Sequence, residues 1–333
     1  MPPLVSVVVR SYKRPGPLRE LLARLRRQTY DPFEIVIVEQ SDDPELGADI
    51  SALGDPRIHV LVRPPLGAAG ARNEGVRHAR GEILAFIDDD DLPFADDWIA
   101  AHVANYDDPL CMGVSGRLTR REDRPDPVRF PRLVRWLAFH YTILRDPVTL
   151  PFGSLRKEGI TFYVGNNFSV RRSLVARIGG WDEVGLGCGE EQSFAFKYER
   201  SRRPGEYMVY DPRSAVYRRL GVDGGLDRRT RPGWHLSELR GRIRYYHQVV
   251  GHYFPWRYRL LFPRYLVRPA ERVTAWIWCA DNAWRTVLDR CRATRDVWAA
   301  LPRMTLDYVG DDRTDVRRVP HLSMPGQQAP ESQ

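Results

Sequence analysis

Apolar residues near the start of the chain follow two patterns, one typical of strands and one typical of helices, and the two patterns alternate along the chain. Nearly continuous apolar runs, typical of strands buried on both faces, occupy residues 4–12, 33–41, 57–64 and 82–91. Leucines at helical spacing predict an amphipathic helix after the first run, at Leu18, Leu21, Leu22 and Leu25. Residues 67–81 begin glycine-rich and end with His, Arg and Gly, which predicts a second helix. Alternating strands and helices predict an α/β fold with a mostly parallel central sheet.

The pattern is less regular in the rest of the chain. The predicted elements there are a strand at 111–118, an excursion or mobile loop within 107–160, a strand from 160, a helix that ends at the Gly179–Gly180 pair, another helix after a glycine-rich loop, and two short strands in 207–219. From residue 234 onward the chain reads as helical and is rich in Trp, Tyr and Arg. The polar residues 311–333 are predicted to be disordered.

Composition places the chain among ordinary globular proteins, with 43% hydrophobic and 28% charged residues. No apolar stretch approaches the roughly 20 residues that span a bilayer, and residues 1–15 read as a first strand rather than a signal peptide. The four cysteines are scattered without zinc-site spacing, as expected of buried thiols in a reducing compartment. The sequence therefore predicts a cytoplasmic protein.

The net charge of +8 comes mostly from arginine. A basic balance favours an anionic partner, which is a nucleotide, a nucleic acid or an acidic membrane surface. Arginines spread over a solvated surface explain the count alone equally well.

Four consecutive carboxylates, Asp88–Asp91, follow the apolar run that predicts the fourth strand. Ligands of open α/β sheets bind outside the carboxyl ends of the strands, and residues 10–13 and Glu39 follow the first two strands in the same way. Side chains two apart in an extended segment point the same way, so Asp88 and Asp90 should share a face while Asp89 and Asp91 face away. Two such carboxylates suit Mg²⁺ or Mn²⁺, although a bare run of aspartates is usually a solvated turn.

A second acidic pair, Glu190–Glu191, opens the helix after the glycine-rich loop. Acidic residues in a first helical turn interact favourably with the helix dipole, and many do nothing else. The alternative is that one of them is a general base that faces the metal site. From the residues alone the two readings stay open.

Taken together, these ordered motifs resemble the family 2 inverting glycosyltransferases. The motifs are "VSVVVRSYKRP", "FEIVIVEQS", "GAAGARNEGVRHARGEILAFIDDDDLP", "GNNFSVRRSLVARIGGWDE", "GEEQSFAFK" and "DPRSAVYRR", within residues 4–220. The resemblance implies a GT-A fold that binds a nucleoside diphosphate sugar, with a helical C-terminal extension. It also implies transfer of the sugar to an acceptor hydroxyl in cell-surface glycan or polysaccharide synthesis, with a UDP-sugar favoured.

The resemblance also assigns roles to individual residues. It implies donor binding by Arg10, Ser11, Tyr12, Glu39, Arg72, Asn73, Asp88, Asp89 and Arg218, acceptor binding by Trp181, Asp182 and Glu190, binding of Mn²⁺ or Mg²⁺ by Asp88 and Asp90, and a catalytic base at Glu191. Tyr12 would stack on the nucleobase, and Glu39 would accept its hydrogen bond. A polar site near the metal is expected to keep Glu191 ionised at neutral pH.

Four positions depart from the pattern that the resemblance leads us to expect. Arg10 and Ser11 stand where a proline and a threonine are usual, and Glu39 replaces an aspartate. Arg218 stands where a histidine often helps to hold the metal. An arginine cannot ligate a cation but can contact a diphosphate directly.

The predicted organisation has four parts. Residues 1–110 would bind the donor, residues 111–230 would bind the acceptor and carry the base, residues 231–310 would form the helical extension, and residues 311–333 a disordered tail. Trp, Tyr and Arg of the extension suit a peripheral contact with the inner face of the membrane and a lipid-linked acceptor. Packing of these aromatics on the catalytic domain is the favoured interpretation.

Two other classes of protein compete with this reading. A metal-dependent phosphotransferase could use the same acidic strand end, but the sequence has no GxxxxGK-type phosphate loop. A nucleic-acid-binding protein would explain the positive charge and the mixed Arg, Tyr and Trp content. With Asp88, Asp90 and Glu191 all in place, we expect a sugar transferase with no nucleic-acid partner.

Overall fold

One mixed sheet organises the part of the chain that the computed structural model describes, which is residues 1–41, 44–119, 156–160, 165–181 and 190–219. Its strands are β1 (Val5–Ser11), β2 (Phe33–Glu39), β3 (Ile58–Val62), β4 (Ile83–Asp88), β5 (Asp91–Pro93), β6 (Cys111–Thr119), β7 (Lys157–Ile160), β8 (Asn167–Arg171) and β9 (Tyr207–Arg218). The order is β3-β2-β1-β4-β8-β6-β9-β5, and β7 pairs with β9.

Most of these strands run in one direction. β1 is parallel to β2 and β4, β2 is parallel to β3, and β6 is parallel to β9. β8 is antiparallel to both β4 and β6, and β5 and β7 are antiparallel to β9. Because β8 is antiparallel to both of its neighbours, β4 and β6, the strands β6 and β9 point in the same direction as β1–β4. The predicted α/β class with a mostly parallel sheet is confirmed.

Helices cover both faces of the sheet within the described ranges. They are α1 (Pro15–Arg26), α2 (Pro44–Ser51), α3 (Gly67–His78), α4 (Trp98–Val103), α5 (Arg172–Ile178) and α6 (Glu190–Ser201). Strand β1 shows why two cores form: Val5, Val7 and Val9 pack with the leucines of α1, whereas Val8 packs with Val76 of α3. Alternate side chains of a strand point to opposite faces, so each face of a buried strand needs its own cover.

Several predicted elements differ from the observed ones. The predicted pair of strands in 207–219 is one strand, β9 (Tyr207–Arg218). The fourth predicted strand ends at Asp88 rather than at residue 91, because the chain turns there before β5. Helix α2 occupies a stretch whose Asp, Pro and Gly content reads as a turn, and its proline stands at the start, where proline is compatible with a helix. α4 was also missed.

The remaining predictions fall partly beyond the described ranges. Residues 120–155 of the predicted excursion, the extension at 231–310 and the tail at 311–333 lie outside them, so these predictions stay untested. No helix in the described part of the chain has the length and apolar content needed to cross a membrane.

A buried asparagine joins the two halves of the sheet. Asn167 of β8 accepts a hydrogen bond from the Trp98 indole at 3.0 Å and lies 3.1 Å from His102 Nε2. Its amide donates to the Arg117 and Ser214 carbonyl oxygens at 2.9 and 2.8 Å. One side chain therefore satisfies polar groups of α4, β6 and β9, and burial makes each of these bonds costly to lose.

Gly116 tests how tightly this junction is packed. A Cβ at residue 116 would overlap the Asn167 amide and the Ser214 carbonyl oxygen, and the carbonyl belongs to backbone that cannot rotate away. We expect Gly116→Ala to reduce the free energy of unfolding by about 1–3 kcal/mol, measured as a lower urea midpoint at an unchanged slope. Gly16→Ala is the control, because nothing lies within 4 Å of its added Cβ. Equal midpoints for the two variants would contradict this account.

Candidate active site

The carboxyl ends of three parallel strands meet at one edge of the sheet. In the strand register, Ser11 of β1 lies beside Glu39 of β2, and Arg10 lies beside Asp88 of β4. The predicted convergence of these strand ends is therefore confirmed. Parallel strands present their carboxyl ends on the same side, and the ligand site of such sheets lies there.

The acidic run turns as it leaves the sheet. Asp88 ends β4, Asp89 and Asp90 form a turn, and Asp91 begins β5. Carboxylate oxygens of Asp88, Asp90 and Asp91 lie within 4.8 Å of one another. The expectation that Asp91 faces away from Asp88 is therefore wrong, because side-chain alternation applies only while the segment stays extended. Three hard oxygen donors at this spacing fit a divalent cation in chemistry and number.

Arg10 of β1 and Arg14 of the loop after β1 neutralise the first three aspartates. Arg10 binds Asp88 with two bonds, from Nε to Oδ1 at 2.7 Å and from Nη2 to Oδ2 at 3.0 Å. Arg14 Nη1 lies 3.2 Å from Asp89 and 3.0 Å from Asp90. A guanidinium matches a carboxylate in geometry, and two parallel bonds fix its orientation. The end of β1 and the loop after it are therefore electrostatic partners of the acidic turn.

Arg218 reaches the same carboxylates from the end of β9. Its Nε and Nη2 atoms donate to the two Asp91 oxygens at 2.9 and 2.8 Å, and Asn166 donates a further bond to Asp91 at 2.6 Å. The same Nη2 atom lies 3.3 Å from Asp88 Oδ2 and 3.6 Å from Asp90 Oδ1. One guanidinium nitrogen thus lies within 3.6 Å of all three carboxylates.

Burial and neighbouring charges separate the aspartates in acidity. Although burial opposes ionisation, Arg10 and then Arg218 hold the pKa of Asp88 well below its usual range. Burial raises the pKa of Asp89 to about 7, and repulsion from Asp90 adds to the rise while Arg14 opposes it. Burial also raises the pKa of Asp91, against the ion pair with Arg218. Asp88 is therefore the most firmly ionised of the three.

The second acidic pair lies close to the first group. Buried Arg72 of α3 holds it, with Nη1 at 3.2 Å from Glu190 Oε1 and Nη2 at 3.4 Å from Glu191 Oε1. Arg72 also donates to the Gly165 carbonyl oxygen at 2.5 Å. Arg10, which binds Asp88, lies 3.8 Å from Glu190. The two acidic groups therefore share one neighbouring cation.

The two glutamates differ in acidity because their neighbours differ. Burial opposes ionisation of Glu190, but Arg72 and Arg10 together lower its pKa. Burial raises the pKa of Glu191 to about 7, and the adjacent Glu190 carboxylate contributes to the rise. Burial and Glu190 therefore act against the expected full ionisation of Glu191 at neutral pH. A carboxyl group with a raised pKa is, however, well matched to accepting a proton near pH 7.

The side chain of Asn73 forms two hydrogen bonds with the backbone of Trp181. The Asn73 amide donates to the Trp181 carbonyl oxygen at 2.8 Å, and its oxygen accepts from the Trp181 N–H at 3.0 Å. The Trp181 ring is fully buried and contacts Phe86, Phe168 and Phe194 at centroid distances of 5.0, 6.0 and 4.7 Å. The predicted contact of the Trp181 side chain with the acceptor is wrong, because the ring packs in the core.

The other assigned residues keep their predicted roles as predictions. Asn73 and Arg72 are bonded to protein groups in this structure, and Glu190 is buried beside Arg72. Asp182 lies outside the described residues.

Several buried polar atoms cluster at the ends of β1 and β2. Ser11 Oγ, Arg14 Nε, Glu39 Oε2 and Ser41 Oγ have no hydrogen-bond partner among the described residues. The other Glu39 oxygen accepts the Ser41 N–H at 2.8 Å. Tyr12 is partly exposed nearby, and the Lys13 ammonium lies 5.3 Å from its ring centroid. Buried polar atoms without a protein partner are unusual and suit a polar ligand.

Sequence reasoning did not identify four residues of this site. They are Arg14, Asp91, Gly165 and Asn166. The proline-flanked "YKRP" places Arg14 after β1, and this position could have predicted a partner for the aspartates. Gly165 and Asn166 follow residues outside the described ranges, and their approach to Glu191 and Asp91 depends on tertiary packing that no local pattern encodes.

Comparison with known proteins defines the class of protein. The profile of Glycosyl transferase family 2 matches residues 6–179, just over half of the chain. The chain therefore belongs to glycosyltransferase family 2. This confirms the resemblance and the enzyme class, a glycosyltransferase of the hexosyl type, over the phosphotransferase and nucleic-acid-binding alternatives.

Individual relatives place the chain within that family. It is 27% identical over 229 residues to the glucosyl-dolichyl phosphate glucuronosyltransferase of Haloferax volcanii, covering 65% of this chain and 69% of that protein. It is 31% identical over 98 residues to WfgD of Escherichia coli, a UDP-Glc:α-D-GlcNAc-diphosphoundecaprenol β-1,3-glucosyltransferase, covering 29% of this chain and 37% of that protein.

A solved structure supports the fold. The mannosyltransferase PcManGT from Pyrobaculum calidifontis, in complex with GDP-Man and Mn²⁺, superposes with a TM-score of 0.56 at 18% identity, covering 94% of this chain and 89% of that chain. Likeness at this identity establishes the shared fold, and a fold alone does not fix a substrate.

Gly165 tests how Glu191 is positioned. A Cβ at residue 165 would overlap the Glu191 carboxylate, which can rotate away only by leaving its place. We expect Gly165→Ala to lower kcat by about 10²-fold, as misplacement by about 1 Å does, while Tm changes little because a flexible side chain absorbs the strain. Gly16→Ala is the control, since its Cβ would meet open space. Unchanged kcat for Gly165→Ala would mean that Glu191 has no catalytic role in its present position.

Proposed function

We propose that the protein is an inverting glycosyltransferase that moves a sugar from a nucleoside diphosphate sugar to an acceptor hydroxyl. The observation that carries the proposal is the placement of two acidic groups on either side of Arg10, at 2.7 Å from Asp88 and 3.8 Å from Glu190. A displacement at a sugar carbon needs positive charge at the leaving diphosphate and a base at the attacking hydroxyl. The two acidic groups lie close enough together for one to serve the leaving diphosphate and the other the attacking hydroxyl.

The donor base is proposed to bind where β1 and β2 end. Glu39 has one oxygen engaged by the Ser41 N–H and one without a partner among the described residues. A single free oxygen suits one ring N–H, such as N3–H of uracil, whereas the paired N–H groups of guanine would match both oxygens. This favours a UDP-sugar. Ser11 Oγ and the Tyr12 ring would contact the same base.

The transfer is proposed to occur in one displacement. The acceptor oxygen forms a bond to the anomeric carbon as the bond from that carbon to the diphosphate oxygen breaks, and the electron pair leaves with the nucleoside diphosphate. Glu191 takes the hydroxyl proton onto its carboxylate. Arg72 holds Glu191 toward the site, at 3.4 Å. Attack opposite the leaving group inverts the anomeric configuration.

The cation proposed for this site is Mn²⁺ or Mg²⁺, which Asp88 and Asp90, with Asp91, would hold. PcManGT is described with Mn²⁺ bound, and the three carboxylates of this chain lie within 4.8 Å of one another. Bound there, a divalent cation would supply positive charge beside the leaving diphosphate.

The acceptor is proposed to be a lipid-linked glycan. The names of both reported relatives include a lipid phosphate, dolichyl phosphate in one and diphosphoundecaprenol in the other. A lipid-linked acceptor would bring the protein to the inner face of the membrane, and synthesis of a cell-surface glycan or polysaccharide would follow.

A thermal-shift screen tests donor binding. We expect UDP to raise Tm by several degrees, more than GDP or CDP does, because a ligand that binds only the native state stabilises by about 2.7 kcal/mol at 100 times Kd. Glu39→Leu should abolish the preference for UDP. Glu34→Leu is the matched control, since it removes another buried carboxylate of β2 at the opposite end of the strand. A lack of stabilisation by every nucleotide would count against the proposal.

The pH dependence of turnover tests the base. Glu191 must be ionised to accept a proton, and its pKa is raised to about 7 by burial and by Glu190. We expect kcat to fall as pH falls through about 7, rather than near the ordinary glutamate value, and Glu191→Gln to lower kcat by about 10²–10⁴-fold and to remove this limb. If kcat of the wild type instead falls only below pH 5, Glu191 in its present surroundings is excluded as the base. Inversion is checked by the anomeric coupling constant of the product in NMR.

A further inference from the structure

Arg218 occupies the centre of the three carboxylates that could hold a cation. Its Nη2 atom is 2.8 Å from Asp91 Oδ2, 3.3 Å from Asp88 Oδ2 and 3.6 Å from Asp90 Oδ1. Those three residues are the ones whose oxygens lie within 4.8 Å of one another. A guanidinium nitrogen and a divalent cation would therefore compete for the same oxygens.

The strand pairing fixes Arg218 in this place. Residues 91 and 218 are direct partners in the antiparallel pairing of β5 with β9. The bidentate bond to Asp91 at 2.9 and 2.8 Å holds the guanidinium in the plane of that carboxylate. The Asp91 side chain is fully buried, so its charge needs a close and permanent partner. Arg218 is thus held by the backbone register as well as by charge.

We propose that Arg218 is the resident cation of this site, and that Mn²⁺ or Mg²⁺ binds only by displacing its guanidinium from Asp88 and Asp90. The inference deepens the proposed function, on which it rests for the use of the cation. When a divalent cation is absent, the Arg218 guanidinium supplies the positive charge beside the leaving diphosphate. Unlike a bound metal, this charge cannot be removed by a chelator.

The competition is measured as Mn²⁺ binding to the full chain without nucleotide, by loss of the EPR signal of free Mn²⁺. We expect Arg218→Gln to bind one Mn²⁺ at least about tenfold more tightly than the wild type, because a unit charge within 4 Å of the ion opposes its binding strongly. Asp90→Asn in the Arg218→Gln background should abolish that binding. At the same Mn²⁺ concentration, Tm of Arg218→Gln should rise more than Tm of the wild type.

Arg57→Gln is the matched control. It removes one arginine from a close ion pair, with Asp55 at 2.8 Å, at the amino end of β3 and therefore at the opposite edge of the sheet. We expect it to bind Mn²⁺ as the wild type does. Arg218→Lys is the second variant in case Arg218→Gln does not fold, because it keeps the charge but loses the fork that binds Asp91. Its Mn²⁺ affinity should exceed that of the wild type.

Two results would overturn the inference. One is equal Mn²⁺ affinity for the wild type and the Arg218 variants, which would mean that the ion binds beside the guanidinium. The other is no Mn²⁺ binding by any of them, which would mean that the carboxylates are not a cation site. Neither result depends on a nucleotide or an acceptor, so a failed donor screen and a failed competition are separate outcomes.

Discussion

Neutralisation of four consecutive carboxylates at the end of a buried strand is the constraint on which the site depends. Asp88–Asp91 would repel one another and lose hydration if they lacked partners. Arg10 comes from β1, Arg14 from the loop after β1, and Arg218 from the last described strand. Removing one partner of a buried ion pair typically costs about 3–5 kcal/mol. The acidic turn therefore ties β1 and the loop after it to β9 through ion pairs.

The same principle links the acidic turn to the base. Arg10 lies between Asp88 and Glu190, and Arg72 lies between Glu190 and Glu191. A change of charge at the turn therefore alters the electrostatic environment of Glu191 through Arg10, Glu190 and Arg72. Entry of a negatively charged diphosphate beside Arg10 would weaken its hold on Glu190. Under the proposed function, donor binding would therefore be electrostatically coupled to the acidity of Glu191.

Local patterns predicted the elements that follow one clear period. β1 and β2 are buried on both faces and appear as continuous apolar runs, and α1 appears as leucines at helical spacing. α2 was missed because its Asp, Pro and Gly content also suits a turn. The acidic edge was predictable, because the carboxyl ends of parallel strands meet there.

What the sequence could not predict depends on contacts across large separations in the chain. The place of Asp91 depended on a turn inside the acidic run, which alternation does not foresee. Trp181 looked like a surface recognition residue, yet it fills the core against Phe168 and Phe194. Arg218 was expected near a diphosphate, but its distance to three carboxylates could be known only once β9 was paired with β5.

The pairing of β5 with β9 also has a consequence for biosynthesis. Asp91 and Arg218 are 127 residues apart in the chain, so the ribosome releases the acidic turn well before the arginine that completes its neutralisation. Contacts of such sequence separation form late because a long loop must close first. At synthesis rates of about 5–20 residues per second, the turn spends several seconds or more with only the arginines of its own amino-terminal segment. Arrival of β9 then completes the sheet and the charge balance of the site in one step, so a chain truncated before residue 218 lacks both.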